Sequence, residues 1–222
     1  MLEKSNCPFC DARNRNDIGN TEDFLFTLSG ENVRTRLLRE TANFAVMPSI
    51  GQIVEGYLLL LPKAHVLSIA QVPRQDDREL VSLYAETKEV LRNAYSTSIV
   101  FEHGAAGPAL RAGCCVDHAH LHFVPVNVDL SPDLREAFPE FRISSLLEIR
   151  ALFEKPREYL YFETNDDRKY VYAVHDIPPQ YLRRLVARKL GVEDKSDWAI
   201  YRGKQELLRT ISKLSEWSRF AL

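Results

Sequence analysis

Three histidines at alternating positions, His118, His120 and His122, are the residues of this chain best suited to chemistry. Successive side chains of a strand point to opposite faces. An extended backbone would therefore place the three imidazoles on one face, with Ala119 and Leu121 on the other. Imidazoles two residues apart on a strand are separated by roughly 7 Å, close enough to act on one small ligand such as a phosphate group. The spacing predicts a reaction centre.

Two other interpretations of the three histidines stay open. They are either polar residues on the solvent side of an amphipathic strand or ligands of a single metal ion. Half of the six histidines of the chain lie within five residues, which argues against an ordinary strand. All three reach one metal only if the strand bends, so the pattern disfavours a zinc ion held by all three.

Two cysteines near the amino terminus, Cys7 and Cys10, form a second candidate site. Their C-x-x-C spacing is typical of a metal site or a redox pair, and two inert thiols are the third alternative. The chain has four cysteines among 222 residues, too few for a disulfide scaffold.

The composition is that of a soluble globular protein, with 45% hydrophobic and 27% charged residues. A net charge of -2 gives no reason to expect nucleic acid or an anionic membrane to bind the whole surface. The amino terminus has no basic segment followed by an apolar run, and the longest apolar run, 57–62, is too short to span a bilayer. We therefore expect a cytoplasmic protein with neither a nucleic acid nor a membrane partner.

The elements that must position the histidines can be predicted from hydrophobic periodicity. A helix-period pattern at 73–95 predicts a long amphipathic helix, and a loop of small residues at 104–113 leads into the histidine segment. Together with apolar strands, this pattern predicts an α+β fold, in which the long helix packs on a central sheet. Strands are predicted at 43–47, 56–61, 98–101, 159–163 and 169–174, and further helices from 178 and from about 204.

The character of the sequence changes after Pro125. We therefore expect a catalytic domain at 1–126 and an α/β carboxy-terminal extension at 127–222 that packs on it. Nothing in the extension indicates a role beyond packing and oligomerisation.

Residues 118–124 read His-Ala-His-Leu-His-Phe-Val and resemble the motif of the histidine triad (HIT) family of nucleotide hydrolases and transferases. Further segments recur in the family's order: C-x-x-C at 7–10, an apolar strand ending in Pro-Lys-Ala-His at 62–65, and the small-residue loop. The resemblance extends to about Pro125 and implies a HIT-like antiparallel sheet with a long helix. The second half is similar to the extension of some bacterial members.

The resemblance implies a nucleotide hydrolase that acts at an α-phosphate and releases a nucleoside monophosphate. Its substrate would be a dinucleoside polyphosphate, such as a diadenosine polyphosphate, or a nucleoside phosphoramidate. His120 would attack the phosphorus and form a nucleotidyl-histidine, while His122 would stabilise charge on a phosphoryl oxygen. Cys115 and Gly113 would also contact the phosphate; the alternative for Cys114 and Cys115 is that both are small buried residues.

Two alternatives are a nucleotidyltransferase or phosphorylase, and a nucleotide-binding regulatory module with little turnover. The uridylyltransferase branch typically has glutamine in place of the third histidine, so His122 favours hydrolysis.

The resemblance also implies a structural zinc ion held by Cys7, Cys10, His65 and His118, a closed tetrahedral set of two thiolates and two imidazoles. It further implies a homodimer formed by extension of the sheet, an interface that the second half could replace.

Three positions depart from the family pattern. Tyr57 stands where many members have a histidine, and Cys115 stands in place of a hydroxyl residue. Glu102 stands near an asparagine of several members, and a carboxylate there would disfavour a polyphosphate unless it is turned away. These departures affect the identity of the substrate more than the type of reaction.

Overall fold

The computed structural model of the chain describes residues 7, 9–10, 37–107, 111–152 and 157–219. Within them the chain is an α+β protein whose eight strands form one antiparallel sheet, which confirms the predicted fold class. The strands are β1 Arg39–Glu40, β2 Phe44–Pro48, β3 Leu58–Pro62, β4 Ile99–Gly104, β5 Leu121–Val124, β6 Glu140–Ile143, β7 Tyr159–Glu163 and β8 Lys169–Ala173.

The long helix that the sequence predicts between 73 and 95 is confirmed, and so are the helices predicted from 178 and from about 204. The helices with described bounds are α1 Asp77–Ala94, α2 Ser131–Ala137, α3 Ile149–Leu152, α4 Tyr181–Lys189, α5 Lys204–Lys213 and α6 Ser215–Arg219. None of the helices in the described ranges has both the length and the apolar character needed to cross a membrane.

The strand order is β1-β2-β3-β5-β4-β7-β8-β6, and neighbouring strands are antiparallel. β5 lies inside the sheet, where His122 pairs with Leu59 of β3 and with Phe101 of β4. β7 then pairs with β4 along its whole length, from Gly104↔Tyr159 to Val100↔Glu163. The sheet therefore continues from the first half of the chain into the second.

Alternation along β5 divides its side chains between two buried faces. Leu121 and Phe123 pack in one core with Leu80, Leu83 and Leu91 of α1. The spacing of these three leucines places them on one side of α1, as the sequence predicts, so this helix covers one face of the sheet.

The opposite face, on which His122 lies, is covered by the second half of the chain. Leu182 and Val186 of α4 share a core with Leu59, Phe101 and Val124 of the sheet. Because α4 packs against this face, its amino-terminal end lies beside the histidines.

The histidine segment is less regular than a continuous strand. Only residues 121–124 pair in the sheet, whereas His118 and His120 precede β5. The neighbouring strand β3 ends at Pro62, which has no backbone N–H to continue the ladder. Ala119 N donates instead to the carbonyl of Val66 (2.7 Å). The expectation that all three histidines lie on one strand is wrong for the first two.

Candidate active site and metal centre

Two cysteines and two histidines from distant parts of the chain form a compact cluster. The ligand atoms of Cys7, Cys10, His65 and His118 all lie within 4.8 Å of one another. His118 Nδ1 is 3.4 Å from Cys7 Sγ and 3.6 Å from Cys10 Sγ, and His65 Nδ1 is 3.4 Å from Cys10 Sγ. Two thiols and two imidazole nitrogens at these separations fit a tetrahedral zinc ion in chemistry and in size.

The end of β3 orients this cluster. His118 Nε2 lies 2.7 Å from the carbonyl oxygen of Pro62. A carbonyl can only accept, so Nε2 carries the hydrogen and Nδ1 presents its lone pair to the thiols. A metal-ligating histidine is commonly held through its second nitrogen in this way. The chain turns after Pro62 to bring His65 into the same cluster.

His120 is held by the backbone of the residue that faces the thiols. Its Nδ1 lies 2.7 Å from the carbonyl oxygen of His118, so Nδ1 carries the hydrogen and Nε2 keeps its lone pair. Burial lowers the pKa of His120, and the nearby Arg183 guanidinium lowers this pKa as well. The neutral imidazole, with Nε2 unprotonated, is the form that can act as a nucleophile.

His122 is held from the opposite side by a tyrosine. Tyr57 Oη lies 2.7 Å from His122 Nδ1, and the His122 ring stacks on Phe101 with 4.5 Å between centroids. His122 Nε2 is buried and has no hydrogen-bond partner among the described residues. Burial holds the pKa of His122 well below its usual range, and His120 and His103 lower it further.

The His120 and His122 rings lie closer together than a regular strand would place them. Their centroids are 4.6 Å apart, against the roughly 7 Å expected. The difference follows from the irregular backbone before β5, and it allows both rings to contact one phosphate-sized group.

A cavity of about 130 Å³ opens beside these rings. This volume has room for a group larger than one water molecule. Among the described residues around it, Arg183 alone carries a full charge at neutral pH, so the cavity suits an anionic ligand. The lining residues are Phe9, Ser49, Ile50, Leu59, His103, Gly113, Cys114, Cys115, Val116, His120, His122, Gln180, Arg183 and Trp198.

The cysteine pair contributes to the cavity wall through the residue between its thiols. Phe9 meets the His118 ring and the His120 ring edge-on, at centroid distances of 5.6 and 5.5 Å. Since Phe9 lies between Cys7 and Cys10 in the chain, the metal cluster and the cavity share one short segment.

Sequence reasoning missed a fourth histidine in the site. His103 of β4 is buried, lines the cavity, and lies 6.0 Å from the His122 ring. Its Nε2 accepts a hydrogen bond from Leu182 N in the first turn of α4 (3.2 Å), and burial lowers its pKa to about 3. Alternation along 99–103 places residue 103 on the same face as Phe101, so the pattern was present in the sequence.

The small-residue loop reaches the cavity, and its two cysteines lie in different surroundings. Gly113 and Cys115 both line the cavity, and Cys115 is exposed. Cys114 is buried, and its Sγ donates to the carbonyl of Val116. Gly113 has a φ of +72°, and a Cβ there would lie 2.6 Å from the carbonyl oxygen of Pro178.

Glu102 lies on the other face of the sheet, away from the cavity. Its carboxylate accepts hydrogen bonds from Ile69 N (2.7 Å) and from Tyr159 Oη (2.5 Å). Alternation explains this placement, since Glu102 lies between Phe101 and His103 on β4. A repulsive carboxylate, which the sequence left open, is therefore absent from the described lining of the cavity.

No protein-family model matches the chain, and no curated protein matches it. The solved structures it resembles include a hypothetical histidine triad nucleotide-binding protein from Sulfolobus tokodaii (20% identity, 54% of this chain, 68% of that one, TM-score 0.40). A HIT family hydrolase from Clostridium thermocellum (18%, 58% and 96%, TM-score 0.39) is also similar. So is a zinc-bound histidine triad protein from Mycobacterium smegmatis (23%, 46% and 72%, TM-score 0.35). These low similarities assign no activity to this chain.

Proposed function

We propose that this chain is a nucleotide hydrolase that acts at an α-phosphate through a nucleotidyl-His120 intermediate. The observation that carries the proposal is the hydrogen bond from His120 Nδ1 to the carbonyl of His118, which leaves Nε2 unprotonated at the cavity. This is the arrangement that a nucleophilic imidazole requires. The histidine triad motif at 118–124 supports the same reaction class.

In the first step His120 Nε2 forms a bond to the α-phosphorus. The bond between this phosphorus and the leaving group breaks, and the leaving group departs with the electron pair. In the second step water attacks the same phosphorus and releases a proton to the solvent, while His120 departs as a neutral imidazole with the electron pair of the P–N bond. Dividing the reaction in this way replaces one difficult displacement by two easier ones.

His122 stabilises the charge that develops on a phosphoryl oxygen. If Tyr57 Oη donates to His122 Nδ1, then Nε2 carries the hydrogen and can donate to that oxygen. The buried Nε2, with no partner among the described residues, is consistent with such a role. Gly113 and Cys115 line the same cavity and contribute phosphate contacts.

We expect Cys7, Cys10, His65 and His118 to hold a structural zinc ion. When bound, zinc would supply a cross-link between the amino-terminal segment and the histidine segment, and it takes no part in the displacement. His118 would then be fixed through both ring nitrogens, and its carbonyl would hold His120.

The leaving group distinguishes the two substrate classes. We propose a dinucleoside polyphosphate or a nucleoside phosphoramidate, with a diadenosine polyphosphate as the first compound to test. The carboxylate of Glu102, which would disfavour a polyphosphate, lies on the opposite face of the sheet.

A homodimer and a cytoplasmic location stay predictions. β4 pairs with β5 on one side and with β7 on the other, so it does not lie at an edge of the sheet. Among the described strands, β1 and β6 lie at the edges, and a dimer that extends this part of the sheet would form through one of them. Light scattering coupled to size-exclusion chromatography measures the oligomeric state directly.

The test of the proposed activity is nucleotide release from diadenosine tetraphosphate and from an adenosine phosphoramidate. Wild-type protein is expected to release AMP, and His120→Ala is expected to lose all turnover while it stays folded. His175→Ala is the matched control, because His175 is exposed and its side chain lies outside the cavity lining. Absence of release with both compounds, or full turnover by His120→Ala, would contradict the proposal.

A further inference from the structure

The second half of the chain places a buried arginine in the cavity. Arg183, in the first turns of α4, is 3% exposed and lines the cavity with His120 and His122. A fully buried arginine is uncommon, because removing its charge from water is costly unless another charge compensates it.

The guanidinium is held rigidly by uncharged groups. Arg183 Nη2 donates to the carbonyl of Gly51 (2.7 Å), and Nε donates to the carbonyl of Ser196 (3.2 Å). Its Cζ lies 5.1 Å from the centre of the Tyr57 ring. These contacts fix the position of the charge without neutralising it.

Arg183 forms no ion pair with any aspartate or glutamate in the described ranges. The carboxylate of Asp197 accepts instead from Gln180 Nε2 and from Ala199 N, each at 2.9 Å. The pKa of Asp197 is lowered mainly by these hydrogen bonds, and Arg183 contributes to the shift, but no ion pair holds the guanidinium. Its charge can therefore still pair with that of an anionic ligand.

The amino-terminal end of α4 adds to the positive potential at the same wall. Gln180 precedes this nine-residue helix and lines the cavity, and Arg183 follows within the first turn. A helix amino terminus favours negative charge. The buried His122 Nε2, without a partner in the described ranges, lies on the sheet side of the same cavity.

We propose that Arg183 binds a phosphate oxygen of the substrate, so that the second half of the chain completes the active site. This inference rests on the proposed function and deepens it, because it gives residues 127–222 a direct part in recognising the phosphate. The substrate is then recognised by its anionic phosphate from both sides, with His122 on the sheet and Arg183 on α4. Arginine suits this task, since its guanidinium donates in a fixed geometry to phosphate oxygens.

The test compares the binding of nucleotides and nucleosides, because their difference isolates the phosphate. Wild type, Arg183→Met, Arg183→Lys and Arg188→Met are titrated by calorimetry with AMP, GMP, CMP and UMP and with the four matching nucleosides. Arg188 lies on the same helix but is exposed, and it is the matched control. Thermal unfolding of each variant is measured alongside.

Wild type and Arg188→Met are expected to bind the preferred monophosphate about tenfold or more tightly than its nucleoside, as for a charge-assisted hydrogen bond. Arg183→Met is expected to lose most of that preference while its nucleoside affinity stays within about twofold. If Arg183→Met does not fold, Arg183→Lys provides the test. Its preference for the monophosphate over the nucleoside is expected to be several-fold smaller than that of wild type.

An unchanged preference in a folded Arg183 variant would overturn the inference and leave the proposed function standing. Equal weakening of nucleotide and nucleoside would overturn it too, since it would mark a purely structural arginine. If wild type binds none of the eight compounds, the proposed function itself fails.

Discussion

Tyr57 Oη lies 2.7 Å from His122 Nδ1, and this hydrogen bond joins a fully buried residue of the 56–61 segment to the last histidine of the motif. Many of the histidine triad proteins that the sequence resembles have a histidine at the position of Tyr57. In the structure the tyrosine hydroxyl contacts the imidazole through Nδ1, and Tyr57 itself does not line the cavity. Tyr57 thus supplies a hydrogen bond to the site.

Replacing Tyr57 by phenylalanine removes this hydroxyl and keeps the ring against which the Arg183 guanidinium lies. We expect turnover to fall about tenfold, because His122 Nδ1 loses the partner that fixes its tautomer and ring position. Steady-state kinetics on diadenosine tetraphosphate measures the effect. The control is Tyr95→Phe, which removes a hydroxyl on the opposite face of the sheet and should leave turnover unchanged. Equal turnover rates for wild type and Tyr57→Phe would contradict the proposal that Tyr57 orients His122.

Removing the metal should slow the reaction without removing a reacting group. His118 faces the thiols and holds His120 through its carbonyl, and Phe9 lies between the thiols and the cavity. We expect turnover to fall about tenfold or more after chelation and to return when zinc is added. Loss of a group that orients a metal ligand typically reduces activity by about 10- to 100-fold.

Elemental analysis of protein purified without chelator should give about one zinc per chain, as one tetrahedral site requires. Cys10→Ser should lose the metal, whereas Cys115→Ser should keep it, because Cys115 lies outside the cluster. A ratio near zero in the wild type would exclude the proposed zinc site.

Glu102 should make stability depend on pH. Burial raises its pKa from the ordinary 4.5 to about 7, although hydrogen bonds from Tyr159 and Ile69 N oppose the shift. The folded protein then binds this proton more tightly than the unfolded chain. The stabilisation is complete below about pH 4.5 and is lost as the pH rises through about 7.

The glutamine of Glu102→Gln does not titrate. The variant should therefore not show the loss of stability that Glu102 causes as the pH rises. Between pH 4.5 and pH 7.5, the free energy of unfolding of the variant should rise relative to wild type by on the order of 3 kcal/mol. Urea unfolding at a series of pH values measures the difference. A difference that stays constant over this range would show that Glu102 does not titrate as described.

Gly113→Ala tests the loop beside the cavity. Gly113 has a positive φ, which favours glycine. A Cβ at this position would also lie 2.6 Å from the carbonyl oxygen of Pro178, so there is no room for a side chain. We expect a loss of about 1–3 kcal/mol in the free energy of unfolding. Gly107→Ala is the control, since a Cβ there meets nothing within 4 Å. Equal free energies of unfolding for the two variants would show that position 113 does not require glycine.

The first half of the site was predictable because its residues carry local patterns. Period-two histidines at 118–122, the C-x-x-C pair and the leucine spacing of α1 each depend on neighbours in sequence. His103 could also have been found by extending the strand predicted at 98–101, because a residue two positions after Phe101 lies on the same face.

Arg183 could not have been found in this way. Its place in the cavity depends on the pairing of β7 with β4 and on the packing of α4 over the sheet, contacts between segments far apart in the chain. In sequence it is one of several basic residues on an amphipathic helix, where a solvated surface is the ordinary interpretation. Burial alone distinguishes it from the exposed Arg184 and Arg188.

The most direct test of the central claim is the mass of the protein during turnover. Wild type mixed with diadenosine tetraphosphate and with an adenosine phosphoramidate is quenched rapidly, and the intact mass and peptide map are recorded. We predict an adenylyl adduct on His120 that is absent from His120→Ala and present in His175→Ala. Turnover with an adduct on another residue, or turnover by folded His120→Ala at the wild-type rate, would contradict the account.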